Sequence, residues 1–516
     1  MIADLRSRSK NIFHTVLIVS WAAFLLFLPV TSFPFIPGVA GGSTLVRPLS
    51  TYPLVILILL FTLPRLFRKP VPKTLQTLIP FIVVVLISTL LSSLRGVYPQ
   101  MGVTVPERAF RTLLTLGIGG AIYATVALWP RDKEDLRVAL RWIYLGFSVS
   151  LLWGSLQAVY IINFSRPYFD FLQSLQSFVA VRRLFTTRIS GMTYEPNWFA
   201  EQITFLLLPW LFSAVITGYS VFKWRIRWLT IEMLLLSWAA VVLVFTFSRA
   251  GLLNLAIILI IGLIFLRPRS AKEKSARGIR IAMRRITEAL LLIIILVGFV
   301  YSIGARNEFF SRIWNYWLEK PKPTLSGYFE YLGFGARLIY SQAAYDVYTK
   351  HPWTGVGLGN FAFYFEESLP DRPLPIIPEV MRVVTPGEGR SSMITPKNFY
   401  TRLLAETGLL GMATFTAFIV AIFGCALALY VSNERDTLFW GTGGLLGVVA
   451  FLLSGLTFDS FALPNMWVVF GITTAAASIF LTRGQYQVND QLKANHQSQI
   501  TVNNTHDLQV NNAKIK

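Results

Sequence analysis

Long apolar runs constrain this chain more than any other feature of its sequence. About twelve of them occupy roughly half of the 516 residues, near 13–33, 50–64, 76–94, 108–129, 138–162, 197–218, 228–247, 250–266, 287–304, 402–430, 438–456 and 462–482. A helical span needs about 20 mostly apolar residues to cross a bilayer. Only 14% of the residues are charged, whereas a soluble protein carries about 25%. The pattern excludes a soluble enzyme and predicts an all-α polytopic membrane protein with about twelve transmembrane helices.

Basic residues divide the predicted loops between two sides of the membrane. The loops at 65–73, 131–141, 223–227 and 267–285 are rich in Lys and Arg, while connections such as 34–49 and 457–461 hold one basic residue or none. Because basic loops stay on the cytoplasmic side, we expect a bacterial inner-membrane protein with both termini in the cytoplasm. The basic residues before the first run resemble a signal peptide, which we interpret as an uncleaved anchor.

The spacing of the runs predicts four parts. Residues 1–304 would hold transmembrane helices 1–9, residues 305–401 one large periplasmic loop between spans 9 and 10, residues 402–482 transmembrane helices 10–12, and residues 483–516 a disordered cytoplasmic tail. Within the loop, 336–350 predicts an amphipathic helix, and the prolines from 370 to 386 predict an irregular lid. The aromatic segment 163–196 predicts a helix that lies in the membrane interface.

Cationic side chains gather on the predicted outer face. They come from four separate segments: Arg182, Arg183 and Arg188; Arg249; Arg337; and Lys397 with Arg402. The positive-inside rule disfavours them there. A single such arginine is explained by a side chain that reaches to the interface, but the set favours an anion site, because guanidinium groups bind phosphate through paired hydrogen bonds. A lipid-linked diphosphate has the depth and the charge that such a site requires.

Other kinds of chemistry find less support. The sequence has no Asp-x-Asp pair and no His/Cys cluster, so we expect no metal. The glycines at 355, 357 and 359 lack the strand–loop–helix context of a phosphate loop, and a tight turn is favoured. Cys425 is the only cysteine, so no internal disulfide is possible. Only one histidine, His351, is predicted on the outside, where it is expected to cap a helix rather than to act in catalysis.

The outer segments, in their order along the chain, resemble the O-antigen ligase and O-antigen polymerase superfamily of polytopic glycosyltransferases. Three stretches carry the resemblance. The first two are Arg188-Ile-Ser-Gly191 through Glu195-Pro196-Asn197 and Phe247-Ser248-Arg249-Ala250-Gly251. The third runs from Arg337 through His351 to Phe361 and continues with Lys397-Asn398, which nine residues separate from Gly408-Leu-Leu-Gly411. The resemblance implies transfer of glycan from an undecaprenyl-diphosphate-linked donor to an acceptor hydroxyl at the periplasmic face, without a metal or other cofactor. It also implies that Arg188, Arg249 and, more loosely, Arg337 bind the diphosphate.

One position departs from the family pattern. Where the ligases have a histidine that is proposed to activate the acceptor hydroxyl, this chain has Lys397. A lysine is a poor base at its ordinary pKa of about 10.4. Lys397 therefore either gives up its proton because of the neighbouring cations, or stays protonated and stabilises the departing diphosphate while Glu195 or His351 takes the proton. We favour the second role, and the departure favours polymerisation or another polysaccharide transfer over ligation to lipid A-core.

The implied partners are the lipid bilayer, the undecaprenyl-diphosphate-linked oligosaccharide, a glycan or lipid acceptor and other proteins of polysaccharide assembly, with no nucleic acid. The main alternative is a transporter of a small anion or other solute, since twelve spans and a basic outer vestibule would suit one. Against it, the apolar runs hold almost no ionisable residues at mid-depth, where ion coupling needs them. A third alternative is an inactive relative that scaffolds a polysaccharide-assembly complex.

Overall fold

A computed structural model describes residues 2–35, 46–68, 70–222, 224–226, 229–264, 298, 300–305, 307–369, 377–384, 393–432 and 434–481. Nearly all of its regular elements are helices. Those before residue 270 are α1 (Ile2–Leu26), α2 (Thr51–Leu57), α3 (Leu63–Arg68), α4 (Lys73–Gln76), α5 (Ile79–Ser93), α6 (Val105–Leu128), α7 (Lys133–Ile162), α8 (Arg166–Gln176), α9 (Pro196–Gln202), α10 (Leu208–Thr217), α11 (Ile231–Phe245) and α12 (Arg249–Ile264).

The second half of the chain has its own set of helices. They are α13 (Glu308–Glu319), α14 (Leu325–Tyr331), α15 (Gly335–Lys350), α16 (Phe361–Tyr364), α17 (Pro378–Val384), α18 (Phe399–Val431), α19 (Arg435–Ser454) and α20 (Asn465–Leu481). A helical segment at 300–304 precedes α13, and a 3₁₀ turn at Glu366–Ser368 follows α16.

Seven helical stretches in the described part of the chain are long and apolar enough to cross a membrane: Thr51–Arg68, Lys73–Ser93, Val105–Leu128, Lys133–Ile162, Pro196–Thr217, Phe399–Val431 and Arg435–Ser454. Four apolar helices are shorter: Asn11–Leu26, Ile231–Phe245, Arg249–Gly262 and Asn465–Leu481. The predicted run at 287–304 lies mostly outside the described residues. A helical, multi-span membrane protein is therefore confirmed, while the total of twelve spans stays a prediction.

Two of the membrane stretches contain a π-helical turn directly before a proline. Ile58–Thr62 precedes Pro64, and Ile203–Leu207 precedes Pro209. A proline lacks an N–H and its ring clashes with the carbonyl four residues earlier. The wider turn removes that clash, so the proline-containing run at 50–64 continues as a helix.

Small residues bring the membrane helices close together. A methyl group on Gly443 of α19 would overlap the Trp210 ring of α10, and one on Gly119 of α6 would overlap the Trp467 ring of α20. Both tryptophans are fully buried. Close approach at small residues is the usual way in which helices associate inside a bilayer.

Two predictions differ from the structure in detail. Arg225–Ile226 and Leu229–Thr230 form a short antiparallel β-hairpin, so the chain is not wholly helical. Within the proline-dense stretch that predicts an irregular lid, Pro378–Val384 is a helix; proline is compatible with the first turn of a helix because that turn leaves its N–H groups without helical partners. Residues 370–376 and 385–392 of that stretch, and the tail after 481, lie outside the described residues. The predicted interfacial segment contains α8, as expected.

Candidate functional site

The segment that carries Arg188 is fixed by a buried glutamine. Gln157 of α7 accepts the backbone N–H groups of Ser190 and Gly191, both at 3.0 Å, and donates to the Gly191 carbonyl at 3.1 Å. Gly191 has a φ of 54°, and a methyl group there would lie 2.7 Å from the Phe199 ring. A glycine is therefore required at this turn, and the turn sets the direction from which Arg188 approaches the membrane helices.

Arg188 and Arg249 are brought together around the end of α11. The Arg188 Nε donates to the Thr246 carbonyl at 2.8 Å, and its Nη2 donates to Asn197 Oδ1 at 2.8 Å. Burial lowers the pKa of the Arg188 guanidinium to about 10; the Glu195 carboxylate opposes this shift, and the positive charge of Arg249 adds to it. Arg188 is still charged at neutral pH. Two cations that repel each other at a partly buried site favour an anion between them.

Arg249 also connects the membrane helices to the large loop. Its Nη1 donates to the Leu332 carbonyl, at the end of α14, at 2.6 Å. Arg312 of α13 lies near enough to Arg249 for the two positive charges to repel each other. Arg312 was missed in the sequence, although it has the same signal as the other predicted residues, a cation on the predicted outer face. The loop thus adds a third cation to the pair formed by Arg188 and Arg249.

The candidate base Glu195 lies beside the same group, but its carboxylate has a partner. Arg182 Nη1 lies 2.7 Å from Glu195 Oε1, and the Arg182 guanidinium also stacks on the Tyr194 ring at 5.0 Å. The Glu195 carboxylate would therefore face a substrate only if Arg182 moved away or turned toward another anion.

Arg337 and Lys397 meet at the connection between α19 and α20. Arg337 Nη1 donates to the Thr457 carbonyl at 3.0 Å, and the Lys397 backbone N–H donates to Asp459 Oδ2 at 2.8 Å. The Lys397 side chain is exposed and its φ is 57°, a left-handed conformation that a residue with a side chain rarely adopts. Arg337 and Lys397 are far apart in the sequence, but they are attached to positions 457 and 459 of the same short connection.

Arg402 does not belong to the exposed set of cations, as the sequence had suggested. It lies in the first turns of α18, is only 6% exposed, and its Nε is 2.9 Å from Oε2 of the fully buried Glu406. It also donates to the Asp459 carbonyl. Its charge is compensated inside the protein, so Arg402 supports the Lys397 segment rather than presenting a charge to a ligand.

His351 is not brought together with the other predicted residues. It follows the last residue of α15, whereas Arg337 lies in the first turn of that helix. The step of fourteen positions from Arg337 to His351 corresponds to about 21 Å of helix. Burial and the charges of Arg95 and Lys350 lower the pKa of the His351 imidazole. The ring is therefore neutral near pH 7, but it lies too far from Arg337 to share one small site with it.

The glycine loop at 355–359 is a structural turn against α18. The Val356 N–H donates to the Ala405 carbonyl at 3.0 Å, and the Gly357 N–H donates to the Glu406 carbonyl at 2.8 Å. A phosphate loop needs backbone N–H groups that are free to bind an anion. Here those of Val356 and Gly357 are already used.

Both groups of cations lie at the same end of the bundle. Arg249 begins α12, and Asn254, about one and a half turns later, donates to Ser454 Oγ at the end of α19 at 3.3 Å. Leu332, the acceptor of Arg249, lies five residues before Arg337. The Arg188–Arg249–Arg312 group and the Arg337–Lys397 group are thus connected through one short stretch of the loop. In the described part of the chain, no three His, Cys, Asp or Glu side chains form a group that could hold a metal ion.

Comparison with known proteins places this geometry in context. No curated protein matches the chain. Residues 233–416 match the model of the O-antigen ligase family. The matched segment includes Arg249, Arg312, Arg337 and Lys397, together with the glycine loop and the start of α18. This match covers about a third of the chain, and over residues 233–416 it confirms the resemblance to the O-antigen ligase and O-antigen polymerase superfamily found in the motifs.

Proposed function

We propose that this protein is a membrane glycosyltransferase that moves glycan from an undecaprenyl-diphosphate-linked donor to an acceptor hydroxyl at the periplasmic face. The product would be a polymerised or ligated surface polysaccharide, such as an O-antigen or an exopolysaccharide. The observation that carries the proposal is the approach of Arg188 to Arg249, with Arg312 beside them. Three neighbouring cations suit a group that carries at least two negative charges.

In this proposal, Arg188 and Arg249 bind the diphosphate, and Arg337 binds its outer side or the first sugar. A charge-assisted hydrogen bond contributes roughly 1.5–3 kcal/mol. Arg188 now donates to Thr246 and Asn197, and Arg249 donates to Leu332. These contacts fix the direction of each guanidinium, and the planar group suits paired hydrogen bonds to a phosphate.

The transfer needs one proton acceptor and one stabilised leaving group. The acceptor oxygen attacks the anomeric carbon, the bond from that carbon to the diphosphate oxygen breaks, and the hydroxyl proton passes to a base. Of the two candidate bases, Glu195 is favoured over His351, because Glu195 is coupled to Arg188 and His351 lies about 21 Å from Arg337 along α15. The incoming diphosphate would compete for Arg182 and release the Glu195 carboxylate. Lys397 would stay protonated and stabilise the departing lipid diphosphate.

The cellular setting is part of the same proposal. We place the protein in the bacterial inner membrane with both termini in the cytoplasm, so that the cationic groups face the periplasm. No metal or other cofactor takes part in the proposed reaction. The substrates are the lipid-linked oligosaccharide and a glycan or lipid acceptor, and other polysaccharide-assembly proteins are expected partners.

The first test replaces Arg249. We expect Arg249→Ala to abolish high-molecular-weight polysaccharide in cells and to cause lipid-linked oligosaccharide to accumulate, while the protein still inserts in the membrane. Arg166→Ala is the matched control, because Arg166 is an exposed arginine that pairs with Asp170 at 2.9 Å within α8. Normal polymer from a well-expressed Arg249→Ala variant would refute the diphosphate role. Flux of an anion through proteoliposomes without glycan transfer would favour the transporter instead.

A second test separates the two roles of Lys397. If the lysine only supplies positive charge, Lys397→Arg retains much of the activity of the purified enzyme and Lys397→His retains little. Both variants keep a side chain at the left-handed backbone position, so the backbone strain is the same in each. The opposite ranking would make Lys397 the base.

A further inference from the structure

A second cavity lies at the opposite end of the bundle from Arg188 and Arg249. It has a volume of about 380 Å³ and is formed where α1, the π turn before α3, the end of α6 and the start of α7 meet. Arg188 and Arg249, in contrast, lie near the end of α7 and the start of α12. Trp142 of α7 lines the cavity, and Gln157 of the same helix holds the turn after Arg188, so fifteen residues of α7, about 22 Å, separate them.

Aromatic rings form much of the wall of this cavity. Trp21, Phe61, Trp129 and Trp142 line it. The Trp21 and Trp129 rings stack at 5.0 Å between centroids, and the Phe61 ring meets the Trp129 ring edge-on at 4.8 Å. Trp21 is only 3% exposed, and its indole N–H has no acceptor among the described residues. Trp129 ends α6, and tryptophans are enriched at the membrane–water interface, so the cavity is expected at headgroup depth.

Charged groups of both signs line the same cavity. Asp132 Oδ1 accepts the backbone N–H groups of Glu134 and Asp135, and Asp135 Oδ2 accepts the backbone N–H of Arg131. These bonds use one oxygen of each aspartate and leave the second oxygen of each for a ligand. The guanidinium of Arg131 and the imidazole of His14 complete the polar lining. The carboxylates outnumber the guanidinium, so the charge favours a ligand with a cationic group.

We propose that this cavity binds the headgroup of a zwitterionic ethanolamine phospholipid from the facing leaflet. The ammonium group would lie against the tryptophan faces, which attract cations, and within reach of Asp132 and Asp135. The phosphodiester would lie near Arg131, and one of its oxygens would give the indole N–H of Trp21 an acceptor. An anionic headgroup without an ammonium would meet two carboxylates and a single guanidinium, and it would bind more weakly.

The test measures lipid binding to the purified full-length chain by native mass spectrometry. We expect the first molecule of palmitoyl-oleoyl phosphatidylethanolamine to bind at least five-fold more tightly than the corresponding phosphatidylglycerol. Trp142→Leu and Asp135→Asn should each weaken phosphatidylethanolamine binding about five- to ten-fold. Asp170→Asn is the matched control, since it removes a carboxylate from α8, outside the cavity, and should change nothing.

Two results would overturn the proposal. One is equal or tighter binding of phosphatidylglycerol by the wild-type chain. The other is wild-type binding of phosphatidylethanolamine by the folded variants. Asp135 also holds the Arg131 backbone, so the fold of Asp135→Asn is checked first. If that variant does not fold, Trp142→Leu, which leaves the hydrogen bonds of Asp132 and Asp135 in place, decides the matter on its own. Because binding is measured without glycan transfer, the result does not depend on the proposed enzymatic function.

Discussion

The contact between the glycine loop and α18 makes a quantitative prediction at Gly355. Its φ is 65°, and a methyl group there would lie 2.5 Å from the Thr407 nitrogen and 2.6 Å from the Ala405 carbonyl oxygen. Both neighbours are backbone atoms of α18, so they cannot turn aside as a side chain would. Directly beside the contact, Gly357 donates to the Glu406 carbonyl at 2.8 Å. Gly355→Ala should therefore push the loop away from α18.

The size of the effect follows from two separate costs. A left-handed backbone costs a residue with a side chain about 1–2 kcal/mol, and an extra methyl group in a tightly packed place costs about 1–3 kcal/mol. Gly355→Ala should thus lower the free energy of unfolding by about 2–5 kcal/mol. Gly333, between α14 and α15, has a φ of 78° but no heavy atom within 4 Å of the added methyl group. Gly333→Ala should cost only the first part, about 1–2 kcal/mol.

The single cysteine supplies the assay. Cys425 lies partly buried in α18, so a fluorogenic thiol reagent reports the unfolding of the helix that the glycine loop contacts. The midpoint of thermal unfolding should fall clearly more in Gly355→Ala than in Gly333→Ala, and glycan-transfer activity should be lost in the first variant only. Equal midpoint losses would show that the backbone contact contributes nothing and that only the dihedral angle matters.

Two further predictions concern buried charge and pH. Arg402→Ala should lower the free energy of unfolding by about 3–5 kcal/mol, because it leaves the fully buried Glu406 without its partner. The double variant Arg402→Met, Glu406→Gln should recover much of that loss in the Cys425 assay. Equal stability of the single and double variants would contradict the coupling. The pKa of His351 is lowered in the folded protein by burial and by nearby cations, so the unfolded chain binds the proton first as the pH falls through about 6.5. The free energy of unfolding should decline below that pH and then level off once the folded protein also binds the proton. In His351→Gln the decline between pH 7.5 and 5.5 should be smaller. Identical pH profiles of the two proteins would contradict this prediction.

Helix positions were the most predictable feature of this chain, because apolar length alone decides which segments can cross a bilayer. The starts of helices were less so. The run predicted at 138–162 begins as a helix at Lys133, since Asp132 caps it and its first turn is charged. The run predicted at 108–129 begins at Val105, where Thr104 accepts the Glu107 N–H. Both starts carry ordinary capping signals, so a search for caps beside the apolar runs would have located them.

The bend in α18 could not be predicted from the sequence. Residues Phe399–Val431 read as one apolar helix, but Gly408 has a φ of 64° and a ψ of −165°. Its backbone meets the loop, and a methyl group there would lie 2.6 Å from the Thr354 nitrogen. A glycine inside an apolar run has many explanations. The bend depends on the contact of Gly408 with Trp353 and Thr354, which lie more than fifty residues earlier in the chain.

For the candidate site, the sequence predicts the charged side chains but not the side chains that pair with them. The sequence identified Arg188, Arg249, Arg337 and Lys397 as cations of one membrane face, and this prediction rested on charge and topology alone. It could not tell that Arg402 is neutralised by Glu406, because that pair depends on the face that α18 turns inward. The same holds for the pairing of Arg182 with Glu195, which depends on how the turn between α8 and α9 folds back. Charge can be counted in a sequence, but its compensation is decided by packing.

Backbone strain provides an independent reason to connect the two groups of cations. In the described part of the chain, three residues other than glycine have a positive φ: Met101, Phe247 and Lys397. Phe247 lies two residues before Arg249 and is 1% exposed, and Lys397 is itself a predicted site residue. Strained backbone of this kind costs of order 1–3 kcal/mol and persists where the surroundings enforce it, often at functional sites. The Asp459 carboxylate holds the Lys397 backbone, and Thr246 beside Phe247 accepts from Arg188. Each group thus has a strained residue at, or two residues from, a proposed site cation, which supports the proposal of a site for one anion.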